Sequence, residues 1–182
     1  VPDEHRQWLE TLLERYEVPG LPEPPTAARG MARMRVDPKS MAPLIDVAFA
    51  NGISFFASAL GTPPAWLIER CRAAGIPVAA LAGRLDHAIA HKEAGVDIII
   101  AQGTEGGGHT GDIATMVLIP QVVDAVAPTP VLAAGGIACG RQVAAAMALG
   151  AEGVWCGSVW LTTNEAETPP VVKEKFLRAT SA

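Results

Sequence analysis

The sequence predicts an α/β fold built on a parallel sheet. Three observations carry this. Short apolar runs alternate with helical runs from about residue 41 onward. Their starts, Ile53, Pro77, Asp97, Pro130 and Gly153, lie 20 to 33 residues apart, the length of a strand, a crossover helix and two loops. The helices leave on matching glycine turns: Ala-Gly-Ile at 74–76, Ala-Gly-Val at 94–96 and Leu-Gly-Ala at 149–151.

Residues 3–17 read as a helix, because Trp8, Leu9, Leu12, Leu13 and Tyr16 recur at spacings of three and four. Pro19, Pro22, Pro24 and Pro25 end it, and a connector with few signals runs to residue 40. Residues 1–40 are thus an N-terminal helix and proline-rich connector, and 41–182 form the main domain. Within it, Met41–Ala50 reads as a helix and Ile53–Ser58 as a strand. Pro63 and Pro64 open a helix through Arg72, since a first-turn proline lacks only an amide that would be unpaired there. Pro77–Leu81 is a strand, Arg84–Glu93 a helix and Asp97–Gln102 a strand. A glycine-rich loop runs from Gly103 to about Asp112. Leu118–Val126 is a helix, Pro130–Ala134 a strand, Arg141–Leu149 a helix and Gly153–Cys156 a strand.

An open doubly wound sheet and a closed barrel both fit this rhythm. A dinucleotide-binding sheet calls for Gly-x-Gly-x-x-Gly after its first strand, and none stands there. Glycines follow the last strands instead, where barrels commonly grip phosphate. The sequence therefore predicts a (β/α)8 TIM barrel, of which this chain supplies about five C-terminal strands. Five strands cannot close, and the open edges would expose apolar surface. The expectation is a longer natural chain continuing at its N-terminus; a first residue that is Val1 rather than Met points the same way.

Composition narrows the function. Hydrophobic residues make up 49% and charged ones 18%, which excludes a disordered chain. The net charge is −5 with no Lys/Arg cluster, so neither nucleic acid nor an anionic membrane is an expected partner. The apolar run Val96–Ala101 is interrupted by Asp97 and far too short to span a bilayer. The charged start is no signal peptide. The three cysteines, Cys71, Cys139 and Cys156, match no zinc spacing and read as reduced thiols of a cytoplasmic protein.

Two regions carry chemistry. The loop Ala101-Gln-Gly-Thr-Glu-Gly-Gly-Gly-His-Thr-Gly111 follows a buried strand, so it sits at the carboxyl end, where barrel active sites lie. Its glycines let backbone approach a flat ring. A histidine side chain can take up or release a proton near neutral pH, so His109 is the candidate base or electrostatic partner. Glu105 is also a candidate acid or base, but the favoured reading is that it neutralises a neighbour or accepts from backbone amides. The second region is a phosphate grip at 134–137 and 157–158. Ala134, Gly135 and Gly136 run from a strand toward the helix that begins near Arg141, and Gly157 and Ser158 end the last strand. Unblocked amides and a helix N-terminus favour an anion. Other residues have plainer readings. His87 and His91, four apart, have zinc-like spacing without a third ligand, so they read as a solvated helix face and no metal is expected. Trp66, Trp155 and Trp160 read as core or interface residues, and one of Phe55 and Phe56 as pointing into the barrel.

These motifs, together with Pro130-Val-Leu-Ala-Ala-Gly-Gly-Ile137 and Ala148-Leu-Gly-Ala-Glu-Gly-Val154, resemble the nitronate monooxygenases, formerly called 2-nitropropane dioxygenases. The resemblance runs from about Ile53 to Glu165, and its specific part is the glycine-histidine loop. It implies FMN at the carboxyl mouth of the barrel. Gly135, Gly136, Gly157 and Ser158 would hold the phosphate, Gln102 and Gly108 would lie near the flavin, and His109 beside the substrate. It implies oxidation of alkyl nitronates or nitroalkanes by dioxygen to carbonyl compounds and nitrite, with FMN carrying the redox step. The partners implied are that small substrate and dioxygen, and a homo-oligomer is left open. Gly106 stands where the family commonly has alanine, a change expected to be without consequence. The family's first three strands, with a Pro-Met pair at the flavin, and its usual C-terminal tail have no counterpart here. Two alternatives remain: an FMN-dependent enoyl-acyl-carrier-protein reductase, and a phosphate-binding barrel lyase or synthase without flavin.

Overall fold

A computed structural model of the chain describes residues 3–17 and 38–180. The connector expected up to residue 40 lies, from 18 to 37, outside the described residues. The chain divides into two compact units, Val1–Ile45 and Asp46–Ala182. Helix α1 (Asp3–Arg15) belongs to the first, and α2 (Pro38–Ala50) runs across the division.

The second unit alternates strands and helices as the sequence predicts. In order come β1 (Phe56–Ser58), α3 (Ala65–Ala73), β2 (Val78–Ala82), α4 (Leu85–Glu93), β3 (Ile98–Gln102), α5 (Thr115–Val126), β4 (Val131–Ala134), α6 (Gly140–Ala148) and β5 (Gly153–Trp155). A 3-10 turn (Ser158–Thr162) and α7 (Pro170–Arg178) follow, neither of which the sequence reading anticipated. The predicted glycine exits hold: Gly75, Gly95 and Gly150 all have positive φ. Strand β1 is shorter than expected. Phe56 still donates to the Pro77 carbonyl, but Pro77 has no amide to extend the ladder upstream.

All five strands are parallel, in the order β1-β2-β3-β4-β5. That order decides between the two architectures. Each right-handed crossover steps the same way, so the four crossover helices, α3 to α6, fall on the same face of the sheet. A doubly wound sheet would reverse its order and carry helices on both faces.

The helical face is the main core. Val78, Ala80, Ala82, Ile99, Ala101, Val131 and Ala133 are buried there, with Leu67, Ile68 and Cys71 of α3 and Leu118, Ile119, Val122 and Val126 of α5. Burying one Leu, Ile or Val side chain stabilises by roughly 1.5–3 kcal/mol, which makes α5 the most firmly seated helix. The alternate residues form the other face. Ala79, Ile100 and Ala134 are buried in a cluster with Phe55, Leu81, Ile98 and Leu132, which are only half-buried. Phe55 is thus the phenylalanine that points inward, and Trp155 stands beside it with ring centroids 6.2 Å apart.

Candidate active site at the strand carboxyl ends

The register puts Gln102, Ala134 and Trp155 side by side at the carboxyl ends of β3, β4 and β5. The loops that leave these strands enclose a cleft of about 540 Å³. Its walls include Gln102, Ala134, Gly135, Gly136, Gly157 and Ser158, six of the residues singled out from the sequence. Gly135 and Gly136 have φ of +105° and +69°, a turn that L side chains rarely adopt. A Cβ on Gly135 would stand 2.8 Å from Thr115 Oγ1, and one on Gly136 would stand 3.1 Å from Glu105 Cβ. The turn therefore lies flat against the start of α5.

Two observations show that this cleft fits a bound phosphate. The amides of Gly136, Ile137, Gly157 and Ser158, which line it, donate to no acceptor among the described residues. A Cβ on Gly157 would meet nothing within 4 Å, so the space beside that amide pair is open. Unpaired amides grouped on one concave surface are an anion site.

The glycine-rich loop closes over the cleft from the β3 side. Gln102 Nε2 donates to the Gly107 carbonyl at 3.2 Å, and a Cβ on Gly107 would lie 3.8 Å from Ser158 Oγ. A Cβ on Gly106 would stand 2.6 Å from Gln102 Nε2, the far end of a flexible side chain, so an alanine there asks only that this amide shift. Glu105 takes the plainer role foreseen for it. Its Oε2 accepts from the Thr115 amide at 2.9 Å and from Thr115 Oγ1 at 2.7 Å. These two bonds hold its carboxyl below the usual value, the side-chain bond first. They also explain why α5 begins at Thr115 rather than Leu118, because Glu105 caps the helix's first free amide.

His109 lies elsewhere. It is exposed and lines an adjoining cleft of about 430 Å³, with Thr62, Arg84, His91 and Asp112. Gln102 and Leu81 line both clefts and form the wall between them. Gly108, expected near the flavin, has a φ of +80° and lines neither.

Two expectations are corrected here. His87 and His91 are not one solvated face. His87 is exposed, but His91 is only 2% exposed and occupied at both ring nitrogens, by Thr62 Oγ1 at 2.8 Å and the Leu81 carbonyl at 3.0 Å. The signal was present, since Ala88 and His91 are spaced as an inward helix face. Of the two readings given for the tryptophans, core or interface, the core one fails: Trp66, Trp155 and Trp160 are 37%, 38% and 61% exposed. Trp155 walls the larger cleft, and Trp160 Nε1 donates to the Cys156 carbonyl at 2.9 Å, bracing the loop before Gly157. Alternation along β5 places Trp155 on the same face as Gly153, which identifies it as a site residue only once the register is known.

The family model for nitronate monooxygenase matches residues 30–182. The chain belongs to the nitronate monooxygenase family. That family is flavin-dependent in general. The candidate monooxygenase Rv1533 of Mycobacterium tuberculosis is 61% identical over all of this chain, which covers 48% of that protein. Among solved structures, FabK from Thermotoga maritima is 36% identical with a TM-score of 0.73, over 80% of this chain and 46% of that one. A nitroalkane oxidase from Streptomyces ansochromogenes is 36% identical with a TM-score of 0.66, over 74% and 41%. Both are TIM barrels, which bears out the predicted fold class. The chain thus spans about half the length of the relatives it matches.

Proposed function

We propose that the protein holds FMN in the larger cleft and uses it to oxidise alkyl nitronates or nitroalkanes with dioxygen, giving carbonyl compounds and nitrite. The observation that carries this reading is one cleft with unpaired amides at two successive strand ends, walled by Gln102 from a second cleft that contains His109. FMN, when bound, supplies the electron acceptance and the reaction with dioxygen.

The chain's own residues do the rest. The Gly136, Ile137, Gly157 and Ser158 amides, with Ser158 Oγ, hold the phosphate dianion. Ala134 and Gly135 keep the approach free of side-chain bulk, and Trp155 and Leu81 present apolar surface to a ring. Gln102 and Gly107, which line the cleft, would border the ring. The smaller cleft takes the substrate, and an imidazole nitrogen of His109 accepts the α-proton of a neutral nitroalkane. The test is nitrite release and dioxygen uptake with an alkyl nitronate and with its parent nitroalkane. Nitrite formed with dioxygen consumed supports the reading. Consumption of NADH with a crotonyl thioester, without nitrite from either nitro compound, overturns it in favour of enoyl-thioester reduction.

A further inference from the structure

The turn between β4 and α6 is held by a small set of hydrogen bonds. The Ala134 carbonyl accepts from the Gly103 amide at 3.0 Å. The Gly135 carbonyl lies 3.1 Å from Thr115 Oγ1, whose single proton is shared with the nearer Glu105 carboxylate. Everything after that converges on one side chain. Gln142 Oε1 accepts from the Ala138 amide at 2.7 Å and the Cys139 amide at 3.1 Å, and Gln142 Nε2 donates to the Gly136 carbonyl at 2.6 Å.

Helix capping accounts for one of those three bonds. A glutamine at the third helical position normally reaches back to the amide of the cap residue, here Cys139. The bonds to Ala138 and Gly136 lie upstream of the helix and do nothing for it. The Gly136 bond has a directional consequence. In a planar trans peptide the carbonyl and the following amide point opposite ways. Fixing the Gly136 carbonyl on Gln142 therefore fixes the Ile137 amide away from Gln142, and that amide is one of the unpaired donors lining the larger cleft.

We infer that Gln142 is a positioning residue for the phosphate grip: it sets the direction of the Ile137 amide through the Gly136–Ile137 peptide and does not itself touch the ligand. This rests on the FMN reading above. Both ends of the side chain are needed. A glutamate keeps the acceptor oxygens for Ala138 and Cys139 but has no hydrogen for the Gly136 carbonyl, and its negative oxygen repels that carbonyl.

The test compares FMN with riboflavin, which has the same ring and no phosphate, in the wild-type protein, Gln142→Glu and Gln142→Met. Dissociation constants come from quenching of flavin fluorescence. The wild type binds FMN more tightly than riboflavin. Gln142→Glu preserves the helix cap, so its thermal midpoint matches the wild type. FMN binding is nonetheless weakened about 10- to 100-fold, the range for losing an aligned hydrogen bond to a charged group. Riboflavin binding is unchanged. The loss persists at about 0.5 M salt, where a bare charge effect is screened. Gln142→Met, of similar volume, shows the same fall in the FMN-to-riboflavin ratio. If both variants keep the wild-type ratio, Gln142 is only a cap and the inference is wrong. If the wild type itself binds FMN no more tightly than riboflavin, the phosphate grip fails and the inference falls with it.

Discussion

His91 and His109 line the same 430 Å³ cleft in contrasting surroundings. A carbonyl oxygen only accepts, so His91 Nε2 carries the proton that bonds Leu81, and Nδ1 accepts from the Thr62 hydroxyl. The ring is a neutral brace between α4, the end of β2 and the loop after β1. Burial, the largest influence, holds its pKa below the ordinary 6.5; the bond to Leu81 opposes this, and nearby His87 adds to it. The unfolded chain therefore takes up this proton at a higher pH than the folded one. The stability involved is complete above about pH 6.5 and is lost as pH falls from there toward the folded value. Urea midpoints at pH 7.5 and 5.5 are expected to drop in the wild type and to drop less in His91→Gln. An equal drop in both would remove His91 as the cause.

His109 has no hydrogen-bond partner among the described residues and is exposed on the wall of the smaller cleft. His109→Asn is expected to slow turnover of neutral nitroalkane by about 10²–10⁴-fold, the usual worth of a positioned proton acceptor. A pre-ionised nitronate needs no proton removed, so the same variant should retain more of its activity on it. Equal loss on both substrates would make His109 an orienting group and not a base.

At the scale of elements, the site is a set of strand ends joined by braced turns. Helix α5 is held by opposite charges at its two ends, Glu105 at the first amide and Lys92 Nζ on the Ala127 carbonyl at 2.9 Å, each matching the helix dipole. The strand-helix rhythm, the glycine exits and the Gly135-Gly136 turn were legible because each has a local signature: period, left-handed glycine, or a strand running into Gly-Gly. The braces were not. Thr115 reaches Glu105 and the Gly135 carbonyl across 10 and 20 positions, and Thr62 meets His91 across 29, while Gln142 and Trp160 bond nearby carbonyls whose positions follow from loop conformation rather than from residue type. Helix α7 was missed although Pro169-Pro170 repeats the signal read at Pro63-Pro64. The cradle glycines differ as test sites. At Gly136 a valine is strained whatever ligand is bound, because φ is +69°. At Gly157 φ is −117° and the added Cβ meets only open cleft. Gly157→Val should therefore melt like the wild type while losing flavin. Full flavin occupancy in this variant would place the grip elsewhere.

Among the described residues of the second unit, one face of the sheet is covered by the crossover helices and the other is not. Leu81, Ile98 and Leu132 remain half-buried there, and β1 and β5 each pair on one side only. A singly wound sheet curved around such a face is part of a barrel wall, and the mouth of that barrel is where both clefts open. Among the described residues no helix is long and apolar enough to cross a membrane. On the proposed reading, the lack of a glycine fingerprint for a second nucleotide half in the sequence favours a mononucleotide over a dinucleotide. The most direct measurement of this account is the mass of the cofactor released by heating the purified yellow protein. The account predicts FMN as the main species. FAD as the main species, or a colourless protein that takes up no FMN, would contradict it.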